Sequence, residues 1–254
     1  MEVIILGSGT CIPANDRASP SLLLRTAQGP LIVDMGPGTL RRLVSIGISF
    51  EKIKHICITH FHPDHTADLI HFLFATRNPQ ILKKRTPFTL TAPKGIRDLL
   101  AGLEKVYGNW LSLPPEIMIM DELDTLKKDT RECPCFNITS QPTEHTPCSV
   151  AYRFEDNSGK RMVYSGDTGV CDGMFDLALD CDLLILECSF PDGMDMAGHL
   201  TPSLAGQMAN DCRAKKLLLL HFYPEVLATD IASACRRFFK GELVLGRDNL
   251  HVRI

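Results

Sequence analysis

The stretch Thr59–Thr66 constrains this chain more than any other, because three histidines and one aspartate fall within six of its residues. His60 and His62 alternate in an extended segment, so both imidazoles can point to one side. Asp64 and His65 turn away from that pair and can serve a second ion nearby, as in two-metal hydrolases. Imidazole and carboxylate groups at this density suit zinc or a similar divalent ion. We therefore predict a metal site rather than a histidine-rich polar loop.

The segments around this motif predict where it lies in a fold. The apolar run Ile56–Ile58 predicts a buried strand that ends at the motif, and the spacing from Thr66 to Phe74 predicts a helix. Strands alternate with helices along the chain, and polar residues recur at strand ends. This pattern is typical of a layered α/β fold with a site along one sheet edge. No linker or repeat is evident, so we expect a single domain over 1–254.

Charge and composition narrow the possible partners. The formal net charge of −3 creates no global positive field, so any polyanion must bind locally. The sequence has no signal peptide and no apolar run that approaches a membrane span, which predicts a cytoplasmic protein without a membrane partner. Its ten cysteines are then expected to be reduced. Cys133-Pro134-Cys135 lacks a nearby second pair, so we favour a structural role over metal binding.

Ligand-type side chains follow several other predicted strands. Asp167 comes after the apolar Met162–Tyr164 and could either bridge two cations or form an Asx turn. Asp34 could brace a metal ligand or be a helix N-terminal turn residue. The nine histidines divide into two groups. Six lie in polar turns at strand ends (His60, His62, His65, His145, His199 and His221), and three lie in strands or on a helix face (His55, His71 and His251).

The motif Thr59-His60-Phe61-His62-Pro63-Asp64-His65 resembles the metal-binding signature of the metallo-β-lactamase superfamily, and the whole chain is most similar to its ribonuclease Z-type branch. The segments Leu6–Thr10, Asp34–Thr39 and Ser165–Thr168 extend the resemblance in the expected order. The resemblance implies a four-layer αββα sandwich, with two mixed sheets between helices. It also favours the bracing role for Asp34.

A dinuclear centre with a bridging hydroxide is the second implication of the resemblance. Zinc is the first expectation for the two divalent ions, with manganese or iron as alternatives. One ion would take His60, His62 and His145, the other would take Asp64, His65 and His221, and Asp167 would bridge them.

Glu187 and His199 match residues that lie beside the ions in the ribonuclease Z-type branch. A carboxylate–imidazole pair would raise the pKa of the histidine, so that a cationic His199 could stabilise the phosphate or protonate the leaving alkoxide. The alternative is a purely structural hydrogen bond. We assign catalytic roles to Asp64, Glu187 and His199. This chain has His199-Leu200-Thr201 where the branch has His-Ser-Thr.

The resemblance favours a hydrolase that cleaves phosphodiesters, with a small-molecule or nucleotide-type substrate. Ribonuclease Z carries a Gly-rich arm that grips tRNA, but the interval from His145 to Asp167 here holds only two predicted strands and a turn, which argues against tRNA. The alternatives are a thioester, lactone or sulfate-ester hydrolase, an iron redox variant, and a metal-binding accessory protein with little catalysis. A homodimer follows from the resemblance alone. The loops around Trp110 and Met194–Met196 are expected to form one wall of the substrate-binding site.

Overall fold

The computed structural model describes residues 1–194 and 196–254, so Asp195 in the predicted Met194–Met196 wall lies outside the described residues. The strands are Glu2–Gly7 (β1), Ser21–Thr26 (β2), Gly29–Val33 (β3), His55–Cys57 (β4), Phe88–Pro93 (β5), Met118–Leu123 (β6), Asp129–Cys133 (β7), Phe136–Pro142 (β8), Val150–Asp156 (β9), Arg161–Tyr164 (β10), Leu183–Glu187 (β11), Lys216–Leu220 (β12), Glu242–Leu245 (β13) and His251–Arg253 (β14). The helices are Thr39–Ser45 (α1), Pro63–Thr76 (α2), Pro79–Leu82 (α3), Ile96–Tyr107 (α4), Asp172–Ala178 (α5), Pro202–Asp211 (α6), Pro224–Leu227 (α7) and Ile231–Arg236 (α8).

Two seven-stranded sheets are built on the same plan. One has the order β14-β1-β2-β3-β4-β5-β6 and the other β13-β12-β11-β10-β9-β8-β7. In each sheet an antiparallel half continues into a parallel half, with the change at β3 in the first sheet and at β10 in the second. Parallel strands covered on both faces need apolar residues throughout. Accordingly, every residue of β11 is buried.

Three apolar clusters separate four layers. The central cluster joins the facing sheets through residues such as Leu22 and Tyr152. A second packs the first sheet against α1, α2 and α4, and a third packs the other sheet against α5, α6 and α8. This arrangement confirms the predicted αββα sandwich with mixed sheets. The shared central core supports the single-domain interpretation, which remains a prediction.

Several predicted boundaries were wrong. Helix α2 begins at Pro63, three residues before the predicted start, with His62 as its N-cap. Proline at the first helical position has the required φ and lacks an N–H that would be unpaired there. Asp64 and His65 therefore lie in the first helical turn. Trp110 belongs to a 3₁₀ helix, Gly108–Leu111, rather than to an irregular loop.

The hairpin of β7 and β8 explains the Cys133-Pro134-Cys135 sequence. Cys133 ends β7, and Cys135 lies in the turn. Within residues 1–194 and 196–254, the side-chain groups able to hold a metal include neither cysteine. None of the described helices combines the length and the apolar character needed to cross a membrane.

Candidate metal centre

Segments from five elements meet at one edge of the two sheets. The residues after β4 supply His60 and His62, the first turn of α2 supplies Asp64 and His65, and the β8–β9 loop supplies His145. Asp167 and His221 follow β10 and β12. The potential ligand atoms form compact groups, within each of which they lie within 4.8 Å of one another: His60, His62, His145 and Asp167; Asp64, His65 and His221; and Asp167, His199 and His221. The seven predicted ligands are therefore neighbours.

Asp167 faces both halves of this cluster. Its Oδ2 lies 3.8 Å from His60 Nε2 and 3.7 Å from His145 Nε2. Its Oδ1 lies 3.3 Å from His65 Nε2 and 3.5 Å from His221 Nε2. A bridging carboxylate needs its two oxygens directed at two different ligand groups, and this side chain has that orientation.

Buried polar atoms without partners converge on the same point. His60 Nε2, His65 Nε2, His221 Nε2 and Asp167 Oδ1 are buried, and none of them makes a hydrogen bond with another residue that the structure describes. Each such atom costs about 1–3 kcal/mol if it stays unpaired. Four of them in one cluster, with imidazole nitrogens and carboxylate oxygens as the donor set, fit a divalent cation.

In four of the histidines that surround the cluster, Nδ1 makes a polar contact away from the cluster. Nδ1 of His65 donates to Asp34 Oδ2 at 2.8 Å, and Nδ1 of His221 donates to Ser189 Oγ at 2.9 Å. His145 Nδ1 donates to a backbone carbonyl at 3.1 Å, and His60 Nδ1 lies 3.1 Å from Thr59 Oγ1. Such contacts fix ring orientation and tautomer, which directs Nε2 toward the cluster.

Asp34 is fully buried and accepts several hydrogen bonds at once. Besides His65, it accepts from the Thr59 N–H at 2.8 Å, the Thr59 hydroxyl at 2.9 Å and the Tyr164 hydroxyl at 3.3 Å. Helix α1 begins five residues later, with Gly38 at its N-cap. The contacts therefore favour the bracing role of Asp34 over a helix-turn role. Sequence reasoning found Asp34 but missed Thr59 and Ser189, which carry no sequence signal of their long-range bonds.

Charges in the cluster shift several pKa values. Burial raises the pKa of Asp167, but the positive charges of His221 and His65 outweigh it and hold that pKa well below its usual range. Burial lowers the pKa of His65, yet the carboxylates of Asp167 and Asp34 raise it above normal overall. Burial dominates at His60 and lowers its pKa. Mutually dependent charges of this kind are typical of functional sites.

Glu187 and His199 form the predicted pair. His199 Nδ1 donates to Glu187 Oε1 at 2.8 Å, so Nε2 is the nitrogen left for other contacts. Burial lowers the pKa of His199, but the hydrogen bond and the charge of Glu187 raise it above normal overall. Leu200, the departure from His-Ser-Thr, donates its N–H to Glu187 and buries its side chain in the core. Thr201 caps α6.

The remaining histidines and Trp110 lie elsewhere. His55 Nε2 contacts Thr91 Oγ1 at 2.8 Å, and His251 faces Glu2. Trp110 packs on Phe74 of α2, with ring centroids 6.0 Å apart. At 1.5 Å per helical residue, Phe74 lies about 15 Å along α2 from Asp64. This position does not support the prediction that Trp110 walls the metal cluster.

Comparisons with known proteins agree with this geometry. A family model described as a beta-lactamase superfamily domain matches residues 31–222. A relative named Ribonuclease Z from Mycobacterium bovis is 28% identical in an alignment 197 residues long, which covers 73% of this chain and 69% of the relative. The metallo-beta-lactamase fold protein YhfI from Bacillus subtilis has a TM-score of 0.84 at 23% identity, covering 99% of this chain and 98% of that one. The short form of human tRNase Z has a TM-score of 0.81 at 24% identity, covering 100% and 99%.

Proposed function

This chain belongs to the beta-lactamase superfamily, and from that membership and the geometry of the cluster we propose that it is a dinuclear, metal-dependent phosphodiesterase. The observation that carries the proposal is Asp167, whose two oxygens face two separate histidine groups around four buried, unpaired polar atoms. The relatives named Ribonuclease Z support the same class of bond. Thioester, lactone and sulfate-ester hydrolysis remain the alternatives that an assay must separate.

The proposed ligand sets follow the two groups. His60, His62 and His145 would hold one ion and Asp64, His65 and His221 the other, with Asp167 shared. Zinc is our proposed ion because the donor set is rich in imidazole, with manganese and iron as the alternatives. When bound, the ions would polarise the phosphoryl group and lower the pKa of water.

The protein side chains supply positioning and proton transfer. Glu187 accepts the Nδ1 proton of His199, so Nε2 can carry the second proton, and against the effect of burial the hydrogen bond and charge of Glu187 raise the pKa of the ring, which shifts it toward the cationic form. We assign His199 Nε2 the role of donating that proton to the leaving oxygen. Burial raises the pKa of Asp64, but His221, whose Nε2 lies 3.6 Å from Asp64 Oδ2, and the charge of His65 lower it overall. The ionised Asp64 would orient the attacking water through a hydrogen bond.

Hydrolysis of bis(p-nitrophenyl) phosphate tests the function. The protein is assayed as purified, after removal of metal by a chelator, and after reconstitution with zinc or manganese. Activity should vanish on chelation and return with metal, and Asp167→Ala should lack it. Asp129→Ala, in β7 away from the cluster, is the matched control. If the reconstituted protein hydrolyses thioesters or lactones but no phosphodiester, the proposed bond class is wrong.

We also propose a cytoplasmic location and a homodimer. All ten cysteines are free, as expected in a reducing compartment. Phe74 and Trp110, 53% and 59% exposed, line an apolar groove between α2 and the 3₁₀ helix Gly108–Leu111 that supports a contact with a second copy. Sedimentation of the wild type and Trp110→Glu tests this: the variant should be monomeric, and identical dimers would place the contact elsewhere.

A further inference from the structure

The loops that build the cluster carry almost no positive charge. We define the site rim as the segments that contain or flank the predicted ligands and the Glu187–His199 pair: 8–20, 34–38, 58–62, 143–149, 165–171, 188–201 and 221–223. The chain has 27 lysines and arginines, and Arg17 is the one that falls in these segments. Just beyond the segment 34–38, Arg41 and Arg42 of α1 line a surface pocket with Asn15 and Ala18 of the site rim, and Arg42 pairs with Asp248 at 2.8 Å.

Arg17 is directed into the protein rather than toward a substrate. Its Nη1 donates to Ser8 Oγ and to the Gly246 carbonyl, both at 2.8 Å, and its guanidinium lies 5.1 Å from the centre of the Phe222 ring. Nucleic-acid binding depends on lysine and arginine side chains that neutralise successive phosphates. The segments of the site rim therefore supply no cation of their own that is directed at a substrate, which disfavours a polyanionic substrate.

The site rim instead presents aromatic and apolar surface beside His199. Phe190 and Tyr223 stack on each other, with centroids 4.8 Å apart and planes 18° apart. Their centroids lie 5.5 Å and 6.5 Å from that of His199. Both rings are partly exposed, and the Tyr223 hydroxyl contacts Cys11 Sγ at 3.3 Å, which fixes the ring.

Three exposed apolar side chains also belong to the site rim. Ile12, Val170 and Met196 are 47%, 43% and 49% exposed. Planar heteroaromatic groups stack favourably on aromatic side chains, and apolar contacts of this kind require no cation. The side chains next to the proposed proton donor thus suit an uncharged ring attached to the phosphate.

We propose that the substrate is a small phosphodiester that carries an aromatic or heteroaromatic group, such as a nucleobase, and that this group packs against the stacked pair formed by Phe190 and Tyr223. The inference rests on the proposed phosphodiesterase function and adds the class of substrate. The two rings are specificity-determining residues, which bind the group attached to the scissile phosphate. The scarcity of lysine and arginine in the site rim disfavours a polymeric RNA as the substrate.

Competitive inhibition separates the aromatic contact from leaving-group reactivity. In alkaline buffer phenylphosphonate and ethylphosphonate are both dianions and differ in the ring, and each is titrated there against bis(p-nitrophenyl) phosphate hydrolysis by the metal-reconstituted protein. We expect phenylphosphonate to inhibit about tenfold more strongly in the wild type. The preference should fall to about twofold or less in Phe190→Leu and Tyr223→Leu. Calorimetric titration of both phosphonates gives the same comparison without turnover.

Two variants serve as controls. Tyr223→Phe keeps the ring and should keep the preference, which separates stacking from loss of the hydroxyl. Phe238→Leu removes an aromatic ring that is 42% exposed outside the site rim, and it should behave as the wild type. Equal inhibition by the two phosphonates in the wild type, or a preference that survives both leucine variants, would overturn the stacking assignment.

A salt series with single-stranded RNA tests the substrate class directly. We expect little RNA hydrolysis, and a KM for small diesters that changes less than twofold between 50 and 200 mM KCl. RNA cleavage faster than diester cleavage, with KM rising steeply with salt, would overturn the inference while leaving the phosphodiesterase function intact. Failure of the function itself has a different signature, because the reconstituted protein would then hydrolyse neither substrate.

Discussion

Replacing Asp34 by asparagine removes one charge and keeps the side-chain size. The buried carboxylate accepts from Thr59, His65 and Tyr164, and it has no donor of its own. Asparagine must place its NH₂ group where one oxygen stood. That group would face either the Thr59 N–H or the His65 Nδ1–H, so donors meet donors in either orientation.

The magnitude follows from the number of bonds lost. One or two buried donors left without an acceptor, at about 1–3 kcal/mol each, should lower the free energy of unfolding by about 2–4 kcal/mol. His65 also loses the bond that orients its ring. Loss of a partner that orients a metal ligand typically weakens metal binding about 10–100-fold, equivalent to about 1.4–2.7 kcal/mol.

Two measurements test this prediction for Asp34→Asn. Urea unfolding with chelator present gives the change in folding stability, and competition with a chromophoric chelator gives the zinc affinity. Asp211→Asn, an exposed carboxylate at the end of α6, is the control and should match the wild type in both. Zinc affinity within twofold of the wild type in Asp34→Asn would refute the bracing role.

Three further predictions use single substitutions. Burial lowers the pKa of His55 to about 4, so the neutral ring's contribution to folding stability is present above pH 6.5 and is lost as the pH falls toward 4. Between pH 7 and pH 4, the free energy of unfolding should fall by about 3 kcal/mol more in the wild type than in His55→Gln, as measured by urea unfolding. Ser189→Ala removes the partner of His221 Nδ1 and should weaken binding of one zinc about tenfold in a two-site titration, whereas the buried Ser165→Ala, which contacts no histidine, should not. Gly166 has φ of +58°, and a Cβ at this position would lie 2.8 Å from the Cβ of Thr59. Gly166→Ala should therefore lower the free energy of unfolding by about 1–3 kcal/mol and weaken zinc binding. A melting temperature and a zinc affinity equal to those of the wild type would contradict this prediction.

Sequence reasoning succeeded where chemistry is concentrated in short motifs. The strand–motif pattern around His60 and the carboxylate of Asp167 predicted both the edge of the sheets and the residues that meet there. Strands β11 and β12 were also predictable, because continuous apolar runs indicate burial on both faces. The ligand roles themselves remain predictions until a metal is measured.

Two secondary-structure elements and one contact of the site were not predicted from the sequence, and each omission has a physical cause. Strand β7 was missed because its side chains are only partly buried or exposed, which leaves no apolar run to detect. Helix α5 was missed because its seven residues give too short a pattern for helical periodicity. Ser189 was missed because its bond to His221 joins positions 32 residues apart, and only the folded chain brings them together.

The zinc content of the purified protein shows whether the cluster holds two ions. The protein is dialysed against zinc, freed of excess ion, and analysed for zinc per chain by mass spectrometry, beside Asp167→Ala and the Asp129→Ala control. We expect two zinc ions per chain in the wild type and in the control, and at most one in Asp167→Ala. One ion or none in the folded, zinc-dialysed wild type would contradict the dinuclear centre.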